Sequence, residues 1–247
     1  MRETAISQTN SPFKHSISRY FAIVLLSILL VSVTANAQEY RSGWDVVNSG
    51  VTSDLFSVEG EGEEIWVFGE NGIVLGSQNS GAIWTQMESM GPSNLTMSDS
   101  GFGAFLAAGK DGTVIIKIDS GSQWEDISFD AGEEDIRGVS LNGNSSVVIV
   151  GSNGSIWKYD SGSWSDYSIS GVDLLDVSFL DSERGIAVGE EGAILFSDDG
   201  GVTWDYRDAP SEASSSRIID VEFYSDIRAY AITDMGEVMK SSREIST

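Results

Sequence analysis

Beyond about residue 50, the chain is a succession of short apolar runs separated by polar residues and glycines. In one well-formed stretch, apolar and polar residues alternate over 175–179, and further apolar runs follow at 185–188 and 193–196. Runs of about four to six residues bounded by Gly, Asp and Ser are typical of β-strands, whereas helices need longer segments with a period near 3.6. The pattern therefore predicts an all-β protein.

The whole pattern recurs every 40 residues, and tryptophans mark the period. Each repeat has room for four short antiparallel strands, which is the content of one blade of a β-propeller. The chain has room for about five such four-stranded blades. The first predicted strand of each blade aligns on apolar positions Val58, Met97, Val139, Val177 and Val221. The tryptophans that mark the period are Trp44, Trp84, Trp124, Trp164 and Trp204.

A G-x-x-G hairpin joins the second predicted strand of a blade to the third, and its two middle residues form the tip. Glycine tolerates the positive φ angles that tight turns require. The hairpin tips of successive blades converge on one face of a propeller, so the tip residues are candidates for contact with a partner. They are Glu70, Asn71, Lys110, Asp111, Ser152, Asn153, Glu190, Glu191 and Asp234, the last in a degenerate copy.

The segment Ser197–Trp204 matches the Asp-box pattern S-x-D-x-G-x-T-W. We expect its central carboxylate to accept backbone N–H groups within the turn. We also expect its tryptophan to bury a large apolar area. The Asp box is therefore predicted to be structural and not catalytic. Its residues are Ser197, Asp199, Gly201, Thr203 and Trp204, and two partial copies contribute Asp119 and Asp160.

The two ends of the repeat array are incomplete in complementary ways. The fifth repeat, over 218–242, ends without a tryptophan, whereas Trp44 has no strands of its own before it. Residues 41–48 are therefore predicted to supply the outer strand of the fifth blade, because closing the ring in this way leaves no open sheet edge. The alternative is an open array that closes by association with a second chain.

The string from Gly185 to Trp204 resembles a repeat of the photosystem II stability/assembly factor family. The Asp box alone also resembles the BNR-type repeats of sialidases and other glycan-handling propellers. The resemblance to the assembly-factor family extends over nearly all of residues 41–242. It implies a propeller that acts by binding other proteins, in a family whose members are longer, seven-bladed rings.

The first 37 residues have the layout of a secretory signal peptide. Arg2, Lys14 and Arg19 precede an apolar stretch over 21–33, and Ala35–Ala37 forms a small-x-small cleavage site. We expect cleavage after Ala37, a single propeller domain over 38–247, and a secreted or periplasmic protein. The apolar stretch is shorter than the roughly 20 residues that span a bilayer. An anchor formed by an uncleaved signal is the alternative, and the absence of a following cysteine excludes lipid attachment of the bacterial lipoprotein type.

Removal of residues 1–37 leaves 11 of the 14 basic and 37 of the 38 acidic residues, a net charge of −26. Such a surface repels nucleic acid and anionic lipid, and it suits a basic protein, a cation or a neutral glycan. The single histidine, His15, lies in the leader, and the chain has no cysteine. Catalysis of the Ser-His-Asp and Cys-His types and the usual zinc sites are thereby excluded.

These observations predict an exported, non-catalytic and monomeric propeller that binds a protein or envelope partner and needs no cofactor or metal. Calcium binding by the acidic runs 59–64 and 130–135 is an alternative, although neither run has the spacing of a 12-residue calcium loop. A sialidase-like hydrolase or a glycan-binding propeller is the other alternative. A sialidase would need an arginine cluster and a Tyr–Glu pair, and the arginines that recur near blade beginnings are Arg137, Arg184, Arg217 and Arg228.

Overall fold

The computed structural model describes residues 43, 45–119, 121–132, 134–169, 171–225 and 228–241 of the 247-residue chain. Within this part, the strands form five antiparallel sheets that follow one another along the sequence. The predicted all-β class and the count of about five blades are confirmed.

Each of the first four sheets contains four strands in chain order, and each of these sheets is one blade. Blade 1 consists of β1 (Leu55–Glu61), β2 (Glu64–Gly69), β3 (Val74–Ser77) and β4 (Thr85–Gln86). Blade 2 consists of β5 (Met97–Gly101), β6 (Ala104–Ala108), β7 (Val114–Lys117) and β8 (Glu125–Asp126). Blade 3 consists of β9 (Ile136–Gly143), β10 (Ser146–Gly151), β11 (Ile156–Asp160) and β12 (Ser163–Asp166). Blade 4 consists of β13 (Leu174–Phe179), β14 (Gly185–Gly189), β15 (Ile194–Ser197) and β16 (Asp205–Arg207).

The fifth sheet has three strands in the described part of the chain: β17 (Ile218–Ser225), β18 (Arg228–Thr233) and β19 (Val238–Lys240). The described part of the predicted closing strand, residues 43 and 45–48, forms no strand and is exposed. Residues 41, 42 and 44 of that prediction lie outside the described residues. The structure therefore does not confirm that the ring is closed by pairing of its ends.

The core of the protein lies between neighbouring blades, not within any one of them. In β10, Val147 and Ile149 pack with blade 2, whereas Val148 and Val150 pack with blade 4. Because successive side chains of a strand point to opposite faces, a strand that is covered on both faces becomes a continuous apolar run. Four apolar clusters fill the four successive junctions in this way.

The first strands of the blades lie side by side at the centre of the array, and polar side chains link them in series. Glu59 accepts hydrogen bonds from Ser98 (2.8 Å) and Ser100 (2.9 Å) of blade 2. Asp99 accepts from Ser140 (3.1 Å) and from the Leu141 N–H (2.7 Å) of blade 3.

The same link continues through blades 3 and 4 with hydroxyls in place of carboxylates. Ser140 accepts from the Phe179 N–H (3.1 Å), and Ser178 accepts from the Phe223 N–H (3.4 Å). The strand register places one residue per blade at this point, which we call the latch position. Its members are Glu59, Asp99, Ser140, Ser178 and Glu222, which pair with Trp66, Leu106, Val148, Ile186 and Tyr230 on the second strands.

The register corrects one predicted alignment, that of Met97 with Val58, Val139, Val177 and Val221. Met97 packs in the junction between blades 2 and 3, whereas Val139 packs towards the blade that precedes its own. The equivalent of Val139 in blade 2 is Ser98, since Asp99 holds the latch position there. A shift of one residue moves a side chain to the other face of its strand, so the alternation alone could not fix this register.

We expect Asp99→Ala to destabilise the chain by about 1–3 kcal/mol, because it leaves the buried Leu141 N–H without this acceptor. Asp99 is only 4% exposed, so water cannot replace the lost carboxylate. The measurement is the free energy of unfolding in urea, with exposed Asp208→Ala as the control. Equal stability of the two variants would show that the latch contributes nothing.

Candidate functional site

The predicted tip residues all lie at the turn between the second and third strands of a blade, so they share one end of the array. We call this surface the tip face. In blades 1, 3 and 4 the turn is one short 3₁₀ turn, over Glu70–Gly72, Ser152–Gly154 and Glu190–Gly192. Lys110, Asp111 and Asp234 occupy the corresponding turns of blades 2 and 5.

The two glycines of a hairpin share one physical role, and the second has another in addition. Gly151 has extended backbone, but a Cβ built on it would lie 2.2 Å from the carbonyl oxygen of Asp135. Gly154, at the other end of the turn, has a φ of +74°, which favours glycine. A Cβ on Gly154 would also lie 2.2 Å from the carbonyl oxygen of Ile169. Both glycines therefore allow backbone segments to approach closely, and only the second also supplies the positive φ that the sequence suggested.

The tips are held by hydrogen bonds that cross from each blade to the next. The Asn71 N–H donates to Oδ1 of Asn94 (3.0 Å), and the Asn153 N–H donates to Oδ1 of Asp173 (2.8 Å). Each acceptor lies just before the first strand of the following blade. These bonds hold neighbouring tips in register, and the side chains of Asn71 and Asn153 remain exposed.

Acidic side chains dominate the tip face. Burial raises the pKa of Asp111, but hydrogen bonds from Ser93 and Thr113 outweigh it and lower the pKa of this carboxyl below its usual value. Hydrogen bonds from Ser152 and Asn153 lower the pKa of the neighbouring Glu134. Both carboxylates therefore stay ionised at neutral pH.

Three of the four arginines near blade beginnings are each paired with a different carboxylate. Arg137 contacts Asp173 (3.0 Å), Arg184 contacts Asp181 (2.6 Å) and Arg217 contacts Glu190 (2.7 Å). The Arg137 and Arg217 pairs are neighbours, since the Glu190 N–H donates to the Asp173 carbonyl (2.9 Å), whereas the Arg184 pair lies in the β13–β14 turn at the opposite end of its blade. Arg184 therefore does not join the other two in the three-arginine cluster that a sialidase would require.

In the Asp box of blade 4, both carboxylate oxygens of Asp199 accept hydrogen bonds from residues of the same turn. Oδ1 accepts the N–H groups of Val202 (3.0 Å) and Thr203 (2.9 Å), and Oδ2 accepts the Thr203 hydroxyl (2.6 Å). Burial alone would raise the pKa of Asp199, but the hydrogen bonds from Thr203, Ser197 and Val202 lower it overall. The Trp204 ring packs edge-on against Phe179, with 5.9 Å between the ring centroids.

The partial Asp boxes differ in how many of this turn's hydrogen bonds they retain. Asn79 stands in the place of the aspartate in blade 1, and its Oδ1 accepts the Ile83 N–H at 2.8 Å. In blade 2, Oδ1 of Asp119 accepts the Gly121 N–H at 2.9 Å. Asp160 instead ends β11 beside a two-residue hairpin, in which Ser161 and Gly162 have φ angles of 52° and 85°. Two positive φ angles are typical of a type I′ turn, so the loss of one residue from this repeat replaced the Asp-box loop with a tighter hairpin.

A cavity of about 440 Å³ lies at the outer end of the junction between blades 1 and 2. No local sequence pattern encodes this cavity, because it depends on how two blades pack. The indole N–H of Trp124 in its lining is buried without a hydrogen-bond partner in the described part of the chain, whereas the equivalent Trp164 and Trp204 donate to carbonyl oxygens. Its lining includes Trp66, Gln78, Asn79, Ile83, Met87, Lys117, Gln123 and Trp124.

The described residues of the acidic runs lie in strands and turns, and some of their carboxylates contact the neighbouring blade. Glu59 is a latch residue, and Glu64 accepts from the Trp66 indole (3.3 Å) and lies 3.6 Å from Lys117. Over the residues that the structure describes, no group of three or more acidic, histidine or cysteine side chains is arranged to hold a metal ion. The same part of the chain forms no helix with the length and apolar character needed to cross a membrane.

We expect Asp199→Ala to cost about 0.5–2 kcal/mol, the range for loss of a side chain that caps exposed backbone N–H groups. Asp199→Asn should cost less, because Asn79 shows that an amide oxygen can hold this turn.

The pKa of Asp199 is lowered in the folded protein, so its ionised carboxylate stabilises the fold at pH values above the usual pKa of 3.8. This stabilisation is lost as the pH falls through the folded-state pKa. The melting-temperature gap between wild type and Asp199→Asn should therefore shrink below about pH 4, and a gap that widens on acidification would contradict this role.

We expect Gly151→Ala to destabilise by about 1–3 kcal/mol, because the added methyl would press on the Asp135 carbonyl. Gly143→Ala is the matched control, since its Cβ would meet the nearest atom at an ordinary 3.7 Å. Chemical denaturation of both variants is the measurement. If both lost the same stability, the close approach at Gly151 would not be the reason for its glycine.

Comparison with known proteins identifies the repeat. Residues 160–232 match the family described as photosynthesis system II assembly factor YCF48. Two proteins of Prochlorococcus marinus, both named photosystem II assembly lipoprotein Ycf48, are similar to parts of the chain. The protein of strain MIT 9312 is 44% identical over 54 residues, which is 21% of this chain and 16% of the relative. The protein of strain NATL2A is 40% identical over 94 residues, which is 36% of this chain and 25% of the relative.

The fold has a match among solved structures. The structure of YCF48 from Cyanidioschyzon merolae superposes with a TM-score of 0.59 at 13% sequence identity. The match covers 79% of this chain and 68% of that one. The resemblance predicted from the sequence is therefore confirmed: the chain is a β-propeller whose repeats are of the photosystem II assembly factor type, with BNR-type Asp boxes.

Proposed function

We propose that the protein is exported and acts as a non-catalytic scaffold, binding a protein partner through the tip face. The observation that carries this proposal is that inter-blade hydrogen bonds hold neighbouring tips in register while their side chains stay exposed. A surface that is rigid before binding loses little conformational freedom on association. The names of the two Prochlorococcus marinus relatives, both photosystem II assembly lipoproteins, support the same class of function.

The partner that suits this surface is basic. Five of the nine tip residues are acidic and one, Lys110, is basic. The charge of −26 beyond residue 37 adds a long-range attraction for a positive surface. This attraction should weaken as salt shortens the Debye length from about 10 Å at 0.1 M to about 3 Å at 1 M.

The signal-peptide layout of residues 1–37, with its small-x-small site at Ala35–Ala37, supports export. The relatives are named lipoproteins, but this chain has no cysteine to carry a lipid. We therefore propose a secreted or periplasmic protein without a lipid anchor. Neither a cofactor nor a metal enters the proposal.

The test is site-specific photo-crosslinking in the native host. A photoreactive residue is placed at Asn71 or at Asn153, both exposed on the tip face, and at exposed Glu183 in the β13–β14 turn as the control. We expect one envelope protein with a basic surface to be captured from both tip positions, to be absent from the control, and to be lost at 1 M salt. Equal capture from the control position would contradict a role of the tip face.

The alternative of a sialidase-like or glycan-binding propeller has its own measurement. We expect no release of sugar from a panel of sialosides and aryl glycosides above the rate in buffer. Turnover that survives purification and is lost on substitution of Arg137 or Arg217 would replace the scaffold proposal with an enzymatic one.

A further inference from the structure

The cavity between blades 1 and 2 lies where these blades depart from the repeat at two positions. By strand register, Gly76 takes the place of Ile116 in blade 2, which fills the junction between blades 2 and 3. Lys117 takes the place of Tyr159 in blade 3, whose ring packs into that same junction. A glycine and a lysine therefore line the first junction where an apolar side chain and an aromatic ring fill the second.

The walls of the cavity are largely aromatic and apolar. A Cβ on Gly76 would lie 2.4 Å from the Trp66 ring, so this glycine allows the indole to lie against β3. The Trp66 ring meets that of Trp124 edge-on, with 5.3 Å between the centroids, and Ile83 and Met87 also line the space. Its volume of about 440 Å³ lies within the range of roughly 300–1,000 Å³ that is usual for small-molecule sites. The cavity therefore has the size and the walls of a site for one small molecule.

The charge of the cavity is opposite to that of the chain. None of the described residues that line it is acidic, although 37 of the 38 acidic residues lie beyond residue 37. Lys117 is only 2% exposed, and its ammonium lies 5.6 Å from the centre of the Trp66 ring. Among the described residues this ammonium donates to the Asp119 carbonyl, and Glu64 lies 3.6 Å away, just beyond hydrogen-bond distance. An ammonium has three N–H donors, so Lys117 can also donate to a ligand.

The indole N–H of Trp124 is a second donor at this place. Its equivalent in blade 3, Trp164, donates across the junction to the Ile127 carbonyl at 2.6 Å. Met87 is the equivalent of Ile127 in blade 1, but within the described residues the Trp124 N–H is buried without any acceptor. Buried N–H groups are nearly always paired, so an unpaired one beside a cavity points to an acceptor on a ligand.

We propose that this cavity binds a small organic acid, with its carboxylate at the Lys117 ammonium and its apolar body against the indole rings. A charge-assisted hydrogen bond from an ammonium to a carboxylate is roughly twice as strong as one between neutral groups. The ligand is an anion, whereas the partner proposed for the tip face is basic. This is therefore a second binding activity, at the outer end of a junction between blades, and it does not rest on the first.

The probe for this site is 1-naphthylacetate, and its uncharged amide, 1-naphthylacetamide, is the matched control compound. The full chain is produced in its host with a ¹⁵N label and purified as the host processes it. It is then titrated with each compound while the indole N–H signals of its tryptophans are recorded, and Trp124→Phe identifies the Trp124 signal.

We expect the acid to shift the Trp124 signal and to bind at least about tenfold more tightly than the amide, because the ammonium favours a charged acceptor. No shift of this signal up to the solubility limit of the acid would overturn the proposal. Equal affinity for the acid and the amide would overturn it as well.

Lys117→Met removes the charge and retains a long, unbranched side chain. We expect this variant to bind the acid and the amide equally well, because the preference for the acid comes from the ammonium. If Lys117 only supported the fold, its loss would weaken both compounds and leave the preference intact. A variant that still prefers the acid would therefore overturn the proposal.

Thr85→Phe tests the cavity without changing the buried lysine. Thr85 is exposed at the outer strand and lines the cavity, so a ring at this position would occupy the space that the ligand needs. Gln86→Phe is the matched control, because neighbouring Gln86 is also exposed but does not line the cavity, and adjacent side chains of a strand point to opposite faces. We expect Thr85→Phe to abolish binding of the acid and Gln86→Phe to leave it unchanged. Unchanged binding by Thr85→Phe would show that the acid binds elsewhere and would overturn the proposal.

Discussion

A propeller blade has two apolar faces and can cover neither of them by itself. This constraint explains where the core lies, because the four apolar clusters occupy the four junctions between blades and not the interior of any sheet. It also explains the strand sequences. A strand such as β10 is apolar at successive positions because each face meets a different neighbour. In an array of this kind each repeat is stabilised largely by contacts with its nearest neighbours.

The residues at the latch position fix the register in which neighbouring blades pack. Apolar contact between two blades is not specific about register, whereas a carboxylate such as Asp99 must meet the Leu141 N–H at a fixed point. A buried polar group that is left without its partner costs more than the bond is worth when it is made. The latch therefore disfavours slipped packings of neighbouring blades, and the tip hydrogen bonds do the same at the blade ends. Together they hold the tip face rigid.

Much of this architecture could be predicted from the sequence, because a 40-residue period with one tryptophan per repeat has few structural explanations. The strands of blade 4 and the turn around Asp199 are local features, so the residues that form them are adjacent in the chain. The latch, the cavity beside Trp124 and the register of Met97 depend on contacts between blades, and no local pattern encodes them. The close approach at Gly151 lies within blade 3, but it was hidden too, since its neighbour is the carbonyl of Asp135, 16 residues earlier in the chain. The closing strand was inferred from the incomplete ends of the repeat array, but its described residues are exposed and form no strand.

Hydrogen–deuterium exchange of the native protein, at a concentration where it is monomeric, tests most directly whether stability comes from the junctions between blades. The amides of β10, in a blade covered on both faces, should exchange slowest. Those of β2 and β18, in blades covered on one face, should exchange at least about tenfold faster, because their blades open without unfolding the whole chain. Equal protection of β2, β10 and β18 would contradict the account, since it would mean that the end blades lack no partner.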